Sequence, residues 1–506
     1  MRGAPVALLC AGVGVAALAL APIVQLVVRA GSDGWDQALR IIVRPRTAQL
    51  LGNTVALAAV VGLATLVLGI AVAYASTRVR LPARGLWLLL ACLPLAVPSF
   101  VAAFAWASTF PGVTGLWPLA LVMTLTCLPL VTVPTMGALA LADHTLADVA
   151  RTLGRRPVPA FVGVTLPQIL PAALAGTLLV ALYTISDFGA PAILRYQTLT
   201  TGVYALFTGT VDRSAAAAMS LPLVLLALAC VWGEQSARGG RGDGERHAAS
   251  RRRPPRELSW ATTVLVVTGL TLLAGLSVLG PLGALVVRML RADRYAAAPV
   301  ELASAAATSL ALATVAATLT VLVALPVGYL AARHRGRLVR AIEGATMIGY
   351  ALPGVVVALA LVALTLTAVP FAYQGPAGLL AAYLLLTLPL AIGSARAAFA
   401  RVPAPAREIS RTLGRGPIAT WLRVSVRTAL PGIAAGWVLV AAEVLKELPA
   451  TLMLRPIGVE TLATELWTRT SIGAYGASAP IGVVLVLVGL LPALLLARSV
   501  GVRVAR

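Results

Sequence analysis

The sequence predicts an all-α polytopic membrane protein, and three observations carry that prediction. Hydrophobic residues make up 59% of the 506 positions, charged residues only 11%, and mean hydropathy is +0.92; a soluble chain of this length needs far more polar surface. Apolar runs of about 18 residues or more, enough to cross a bilayer, recur along the chain. They are continuous Leu/Ala/Val tracts without alternation, so helices rather than a barrel satisfy the backbone in lipid. Finally, one arginine-bearing loop sequence occurs twice, 260 residues apart, so the chain is built from two related halves.

Taken in order, twelve spanning helices are expected, at 5–28, 51–76, 86–107, 115–141, 169–187, 214–233, 260–288, 303–331, 342–368, 376–396, 428–447 and 476–498. The first follows Met1-Arg2 and runs from about Ala4 to Val28. That is long for a signal-peptide core, so it reads as an uncleaved span. An even count puts both termini on one side. With the termini in the cytoplasm, that side carries 28 of the 40 basic residues, among them Arg78, Arg80, Arg84, Arg155 and Arg156. This is the positive-inside pattern of a multi-pass membrane protein with both termini cytoplasmic.

The net charge of +22 therefore belongs to short loops between apolar segments and does not indicate nucleic acid. Cys10, Cys92, Cys127 and Cys230 lie in apolar segments without metal-type spacing, and His144, His247 and His334 are scattered in polar loops. They read as packing and loop residues. No Ser/His/Asp, metal-ligand or paired-acid constellation points to an enzyme.

Three regions are expected: a first repeat of six spans at 1–233, a basic cytoplasmic linker at 234–259, and a second repeat of six spans at 260–506. The linker is rich in Gly, Arg, Ser and Pro, which makes it a topology-setting tether; basic runs beside a membrane also attract anionic lipid. The halves match outside the loop as well. Tyr74 pairs with Tyr329, and the Leu93-Pro94 to Pro98 segment with the one ending Leu352-Pro353, at an offset of 255. Leu128-Pro129-Leu130 pairs with Leu388-Pro389-Leu390 at an offset of 260. Two six-helix repeats of one orientation imply a pseudo-two-fold axis along the membrane normal and a pathway at their interface.

The repeated loop reads Asp148-Val-Ala150-Arg151-Thr-Leu-Gly154-Arg155, then Val164, Leu166-Pro167 and Leu170-Pro171. Its copy reads Glu408-Ile-Ser410-Arg411-Thr-Leu-Gly414-Arg415, then Val424 and Leu430-Pro431. The physics fits docking. An acid near a helix N-terminus is favoured by the dipole. Gly154 and Gly414 permit a tight turn or close approach of a partner. Arg151 and Arg411 offer charge-assisted hydrogen bonds. The bland alternative is a capped loop helix resting on its own bundle.

The pattern resembles the cytoplasmic loop signature of importer-type ABC permeases, in which a short coupling helix docks into a groove on an ATPase subunit. Two departures stand out: Asp148 replaces the family's preferred Glu, and Val426-Arg427 stands where Leu-Pro is expected. The resemblance implies two cytoplasmic ABC ATPase subunits, an extracytoplasmic substrate-binding protein, the lipid bilayer as solvent, and no cofactor bound by this chain. ATP would be hydrolysed by the partners, since the sequence has no G-x-x-x-x-G-K-[ST] loop and its one lysine is Lys446.

A finer resemblance concerns substrate. Lys446-Glu-Leu-Pro-Ala-Thr-Leu-Met-Leu-Arg-Pro456 and Thr461-Leu-Ala-Thr464 correspond to Ser186-Asp-Phe-Gly-Ala-Pro191 and Thr198-Leu-Thr200. Both look like fused-repeat ferric-iron importer permeases; thiamine, phosphonate and polyamine systems share much of this architecture and stay open as alternatives. Read independently, Asp187 and Glu447 are repeat-equivalent acids at the ends of the fifth and eleventh helices, with Glu443 one turn earlier. Acids in membrane helices usually face an interior or a cavity, and carboxylates suit hard cations such as ferric iron. Two readings follow: the three acids line an outer mouth or gate, or Lys446 neutralises a neighbour and the others sit in the solvated interface. An ion-gradient-driven secondary carrier also has twelve helices in two halves, but that reading leaves the repeated loop unexplained.

Overall fold

The computed structural model describes residues 6–142, 144–209, 213–239, 257, 259–291, 299–334 and 336–505. Helices joined by short loops account for nearly all of them, and no β-strand occurs among the described residues. Ten helices are long and apolar enough to span a membrane: Val6–Ala30, Pro45–Arg78, Leu116–Leu141, Pro157–Ser186, Arg213–Glu234, Trp260–Leu290, Pro299–Arg333, Pro376–Ala400, Trp421–Lys446 and Tyr475–Leu494. They correspond to ten of the twelve expected spans.

The other two, expected as continuous helices at 86–107 and 342–368, are broken. Arg84–Ala96 and Ser99–Thr109 meet at 88°. The second copy is Arg337–Met347, a 3₁₀ turn at Ile348–Ala351, and Gly354–Ala368. The cause is a proline at the same repeat position. Pro98 and Pro353 have no N–H to continue the ladder and force the preceding residue out of the helical region. Val97 accordingly has ψ 110° and Leu352 ψ 119°.

Short helices outside the expected set follow the fifth and eleventh spans. Gly189–Ile193 and Leu199–Gly209 come in the first repeat, Pro449–Leu454 and Leu462–Ser471 in the second. At the expected linker, helix Arg213–Gly239 runs past position 234, and residues 240–256 and 258 lie outside the described residues.

Two compact units divide the chain, and both are assembled from both sequence repeats. One gathers 1–47, 202–224 and 298–467; the other gathers 48–201, 225–297 and 468–506. In the first unit, Pro299–Arg333, Pro376–Ala400 and Arg427–Lys446 pack on one another. Val6–Ala30, the opening span of the first repeat, packs on Pro299–Arg333, Arg337–Met347 and Gly354–Ala368. In the second unit, Leu116–Leu141 packs on Leu166–Ser186, and Gly280–Leu290 and Tyr475–Ala505 pack on the broken span.

Small residues set these contacts. A Cβ on Gly176 would stand 2.6 Å from the Leu130 carbonyl oxygen, and one on Gly489 2.1 Å from that of Ala96. Lipid tails are as apolar as leucine, so membrane helices choose neighbours by such close approach rather than by chain order.

Candidate functional site

The repeated loops fold into matching short helices, His144–Thr152 and Ala404–Thr412. Each ends in a left-handed glycine, Gly154 at φ 83° and Gly414 at φ 77°. The carbonyl of Ala150 accepts from the Arg155 N–H at 3.1 Å, and that of Ser410 from the Arg415 N–H at 3.2 Å. In the first copy, Gly154 N–H also reaches the Arg151 carbonyl at 3.0 Å, completing a Schellman cap. Gly154 and Gly414 thus stop the helix; a Cβ on either would meet nothing within 4 Å, so it is the backbone angle that requires glycine.

The two faces of each helix differ. Ala150 and Ser410 are buried, and Ser410 Oγ lies 3.1 Å from Thr420 Oγ1. Outward stand Leu146, Val149 and Leu153 in one copy and Ile409 and Leu413 in the other, with Leu153 78% and Leu413 71% exposed. Val149 and Ile409, and Leu153 and Leu413, are thus exposed apolar side chains at repeat-equivalent positions. Asp148 and Glu408 are not in the first turn of their helices. The expected dipole stabilisation therefore does not apply, because it fades within that turn. Arg151 is exposed; the side chain of Arg411 lies outside the described residues.

Leu166 and Pro167 sit after the loop, at the start of helix Leu166–Ser186, and Leu430 and Pro431 lie within Arg427–Lys446. Both helices are preceded by a π-helical turn, Phe161–Thr165 and Trp421–Val426. Arg427 occupies the position of Pro167 in the second copy, so the proline is not what produces the turn. A tyrosine packs edge-on against each turn: Tyr74 on Phe161 at 5.2 Å and Tyr329 on Trp421 at 6.3 Å between ring centroids.

Two arginines that the sequence presents only as loop charges also prove repeat-equivalent. Arg78 donates to the Leu139 carbonyl, and Arg333 to the Phe399 and Val402 carbonyls. Each caps the C-terminal end of the helix that leads into a copy of the repeated loop, where guanidinium is favoured. The shared offset of 255 was the available signal.

The three acids separate. The Asp187 carboxylate accepts from the Ala190 N–H at 3.0 Å and from the Ser99 hydroxyl. Its own carbonyl accepts from the Thr200 hydroxyl at 2.7 Å. Glu447 accepts from the Ala450 N–H at 3.0 Å, and its carbonyl from the Thr451 hydroxyl at 2.8 Å. Both acids therefore cap the N-terminus of the following short helix, a favourable place for negative charge. Glu443 is exposed and pairs with Lys446 at 2.9 Å. Among the described residues, no three His, Cys, Asp or Glu side chains gather as a metal site.

Comparison with known proteins matches this architecture. Residues 65–238 and 324–505 each match the family described as binding-protein-dependent transport system inner membrane component. The chain is 31% identical over 484 residues to the Fe(3+)-transport system permease protein FbpB 2 of Haemophilus influenzae, covering 94% of both chains. It is 34% identical over 272 residues to a probable molybdenum ABC transporter permease of Haloferax volcanii, covering 50% of this chain and 98% of that one. It is 32% identical over 181 residues to the molybdate/tungstate permease WtpB of Pyrococcus abyssi, covering 35% of this chain and 70% of that one.

Proposed function

The chain belongs to the family of inner-membrane components of binding-protein-dependent transport systems, and from that premise we propose that it is the permease of an ATP-driven ferric-iron importer. One observation carries the substrate. The ferric-iron relative aligns over 94% of both chains, whereas the molybdenum and molybdate/tungstate relatives align over 50% and 35% of this one.

In this reading two cytoplasmic ATPase subunits dock on helices His144–Thr152 and Ala404–Thr412, gripping the apolar faces around Leu153 and Leu413. The π-helical turns and the arginine caps transmit their movement to the spans, switching the pathway between inward- and outward-open states. The distribution of 28 of the 40 basic residues supports cytoplasmic termini and coupling loops. Asp187, Glu443 and Glu447 are assigned in this reading to the outer mouth or gate, with Glu443 the exposed member of the three. A binding protein delivers the iron.

The test is uptake into proteoliposomes holding this chain with its ATPase and binding protein. ATP-dependent accumulation of iron that requires the binding protein supports the reading. Uptake of molybdate or sulfate without iron overturns the substrate assignment, and full iron uptake by D187N/E443Q/E447Q removes the acids from the pathway.

A further inference from the structure

Within the compact unit of 48–201, 225–297 and 468–506 lies a cavity of about 810 Å³ that neither the coupling loops nor the acids use. It is walled by the ends of three apolar helices. Trp106 and Phe110 come from the end of Ser99–Thr109, Arg288 and Arg291 from the end of Gly280–Leu290, and Tyr475 from the start of Tyr475–Ala505. We propose that this cavity binds the phosphate headgroup of an anionic phospholipid.

Depth comes first. Gly280–Leu290 closes the span Trp260–Leu290, and Tyr475 opens the span Tyr475–Leu494. Where spans end, bilayer phosphates begin, and Trp, Tyr and Arg are the residues suited to that layer. Charge comes next. The lining holds two arginines and no Asp or Glu, and among the described residues no carboxylate forms an ion pair with either arginine.

The arginine is also held in place. The Arg288 guanidinium donates to the Ser108 carbonyl and lies over the Tyr475 ring at 5.8 Å. That leaves further N–H donors of a planar fork suited to phosphate oxygens. The stacked pair of Trp106 and Phe110, 5.7 Å between centroids, supplies an apolar wall for glycerol and the first acyl carbons. The volume lies in the range of small-ligand sites.

The experiment is native mass spectrometry of the full chain in detergent with phosphatidylglycerol or phosphatidylcholine. Wild type should retain phosphatidylglycerol about tenfold more strongly than phosphatidylcholine, the scale of one or two charge-assisted contacts. R291Q should lower that preference and R288Q/R291Q abolish it. A Cβ on Gly283 meets nothing within 4 Å, so G283F should fill the cavity and expel lipid with both arginines intact. Equal retention of the two lipids by wild type, or unchanged retention by all three variants, overturns the proposal. So does displacement by inorganic phosphate or glycerol 3-phosphate, which would mark a site for small anions. Variants that keep the lipid but lose affinity for the binding protein would also overturn it, reassigning the surface to protein docking.

Discussion

The two acid junctions solve one packing problem with opposite allocations of atoms. At 99 and 187 a short aspartate meets a serine hydroxyl. At the repeat-equivalent 354 and 447 a longer glutamate meets a glycine, and a Cβ on Gly354 would stand 2.5 Å from Glu447 Oε1 and 3.0 Å from Pro449 Cγ. In both, a carboxylate oxygen lies 3.0 Å from the backbone N–H three residues on. The duplicated feature is thus the position of a carboxylate oxygen at the start of a short helix, beside the broken span, and the residue types around it adjust to fill the same space.

The largest effect expected from breaking this complementarity is at Gly354. Gly354→Ser places a side chain against an oxygen already bound to a backbone N–H, and should cost about 3 kcal/mol, the upper part of the overpacking range. The measurement is the thermal midpoint in detergent. E447D should recover much of the loss in G354S/E447D, because it withdraws the carboxylate by one methylene; strict additivity of the two changes would sink the idea that the positions are coupled.

The mirror experiment is smaller. Ser99→Gly leaves the Asp187 carboxylate without its hydroxyl donor and should cost about 2 kcal/mol, with D187E restoring part of it. Failure of D187E to help would mean that the two junctions are not interchangeable.

The same question applies to the two repeated loops, proposed to dock the ATPase. Gly154→Val and Gly414→Val force a branched residue into a left-handed turn, about 1–2 kcal/mol of strain each, and should reduce the amount of ATPase that co-purifies. Equal losses support two equivalent docking points, and a loss confined to one copy limits docking to that loop. The smallest change is Lys446→Ala. Its partner Glu443 has a side chain 50% exposed, so the pair contributes under about 1 kcal/mol, and an unchanged thermal midpoint is expected.

Much of the fold was legible in the sequence because its signals are local and repeated. Hydropathy located ten continuous spans; the recurrence of Gly154 and Gly414 offered a tight turn or a partner's close approach, and the structure adds that each glycine is left-handed and ends a short helix. The same local signals misread the third and ninth spans. Their hydropathy is continuous, but Pro98 and Pro353 break the backbone while leaving the apolar composition untouched. Sequence spacing also placed Asp187 and Glu447 at span ends without revealing what their carboxylates accept from. Of those donors, Ser99 opens the second segment of a span whose hydropathy hides the break, and Ala190 and Ala450 belong to helices too short to carry a hydropathy pattern.

Composition alone determined that this chain lives in lipid as helices, since backbone polar groups there must be satisfied within each segment. Duplication alone determined that it carries two copies of one loop. Only the tertiary structure decided which helices belong together. The opening span of the first repeat joins the unit built on 298–467, and residues 468–506 of the second join the one built on 48–201. That choice rests on surface fit, such as Gly489 against the Ala96 carbonyl or Gly12 against Leu330 and Ile342. Fit between distant helices is a property of shapes in space, which no run of residues along the chain encodes by itself.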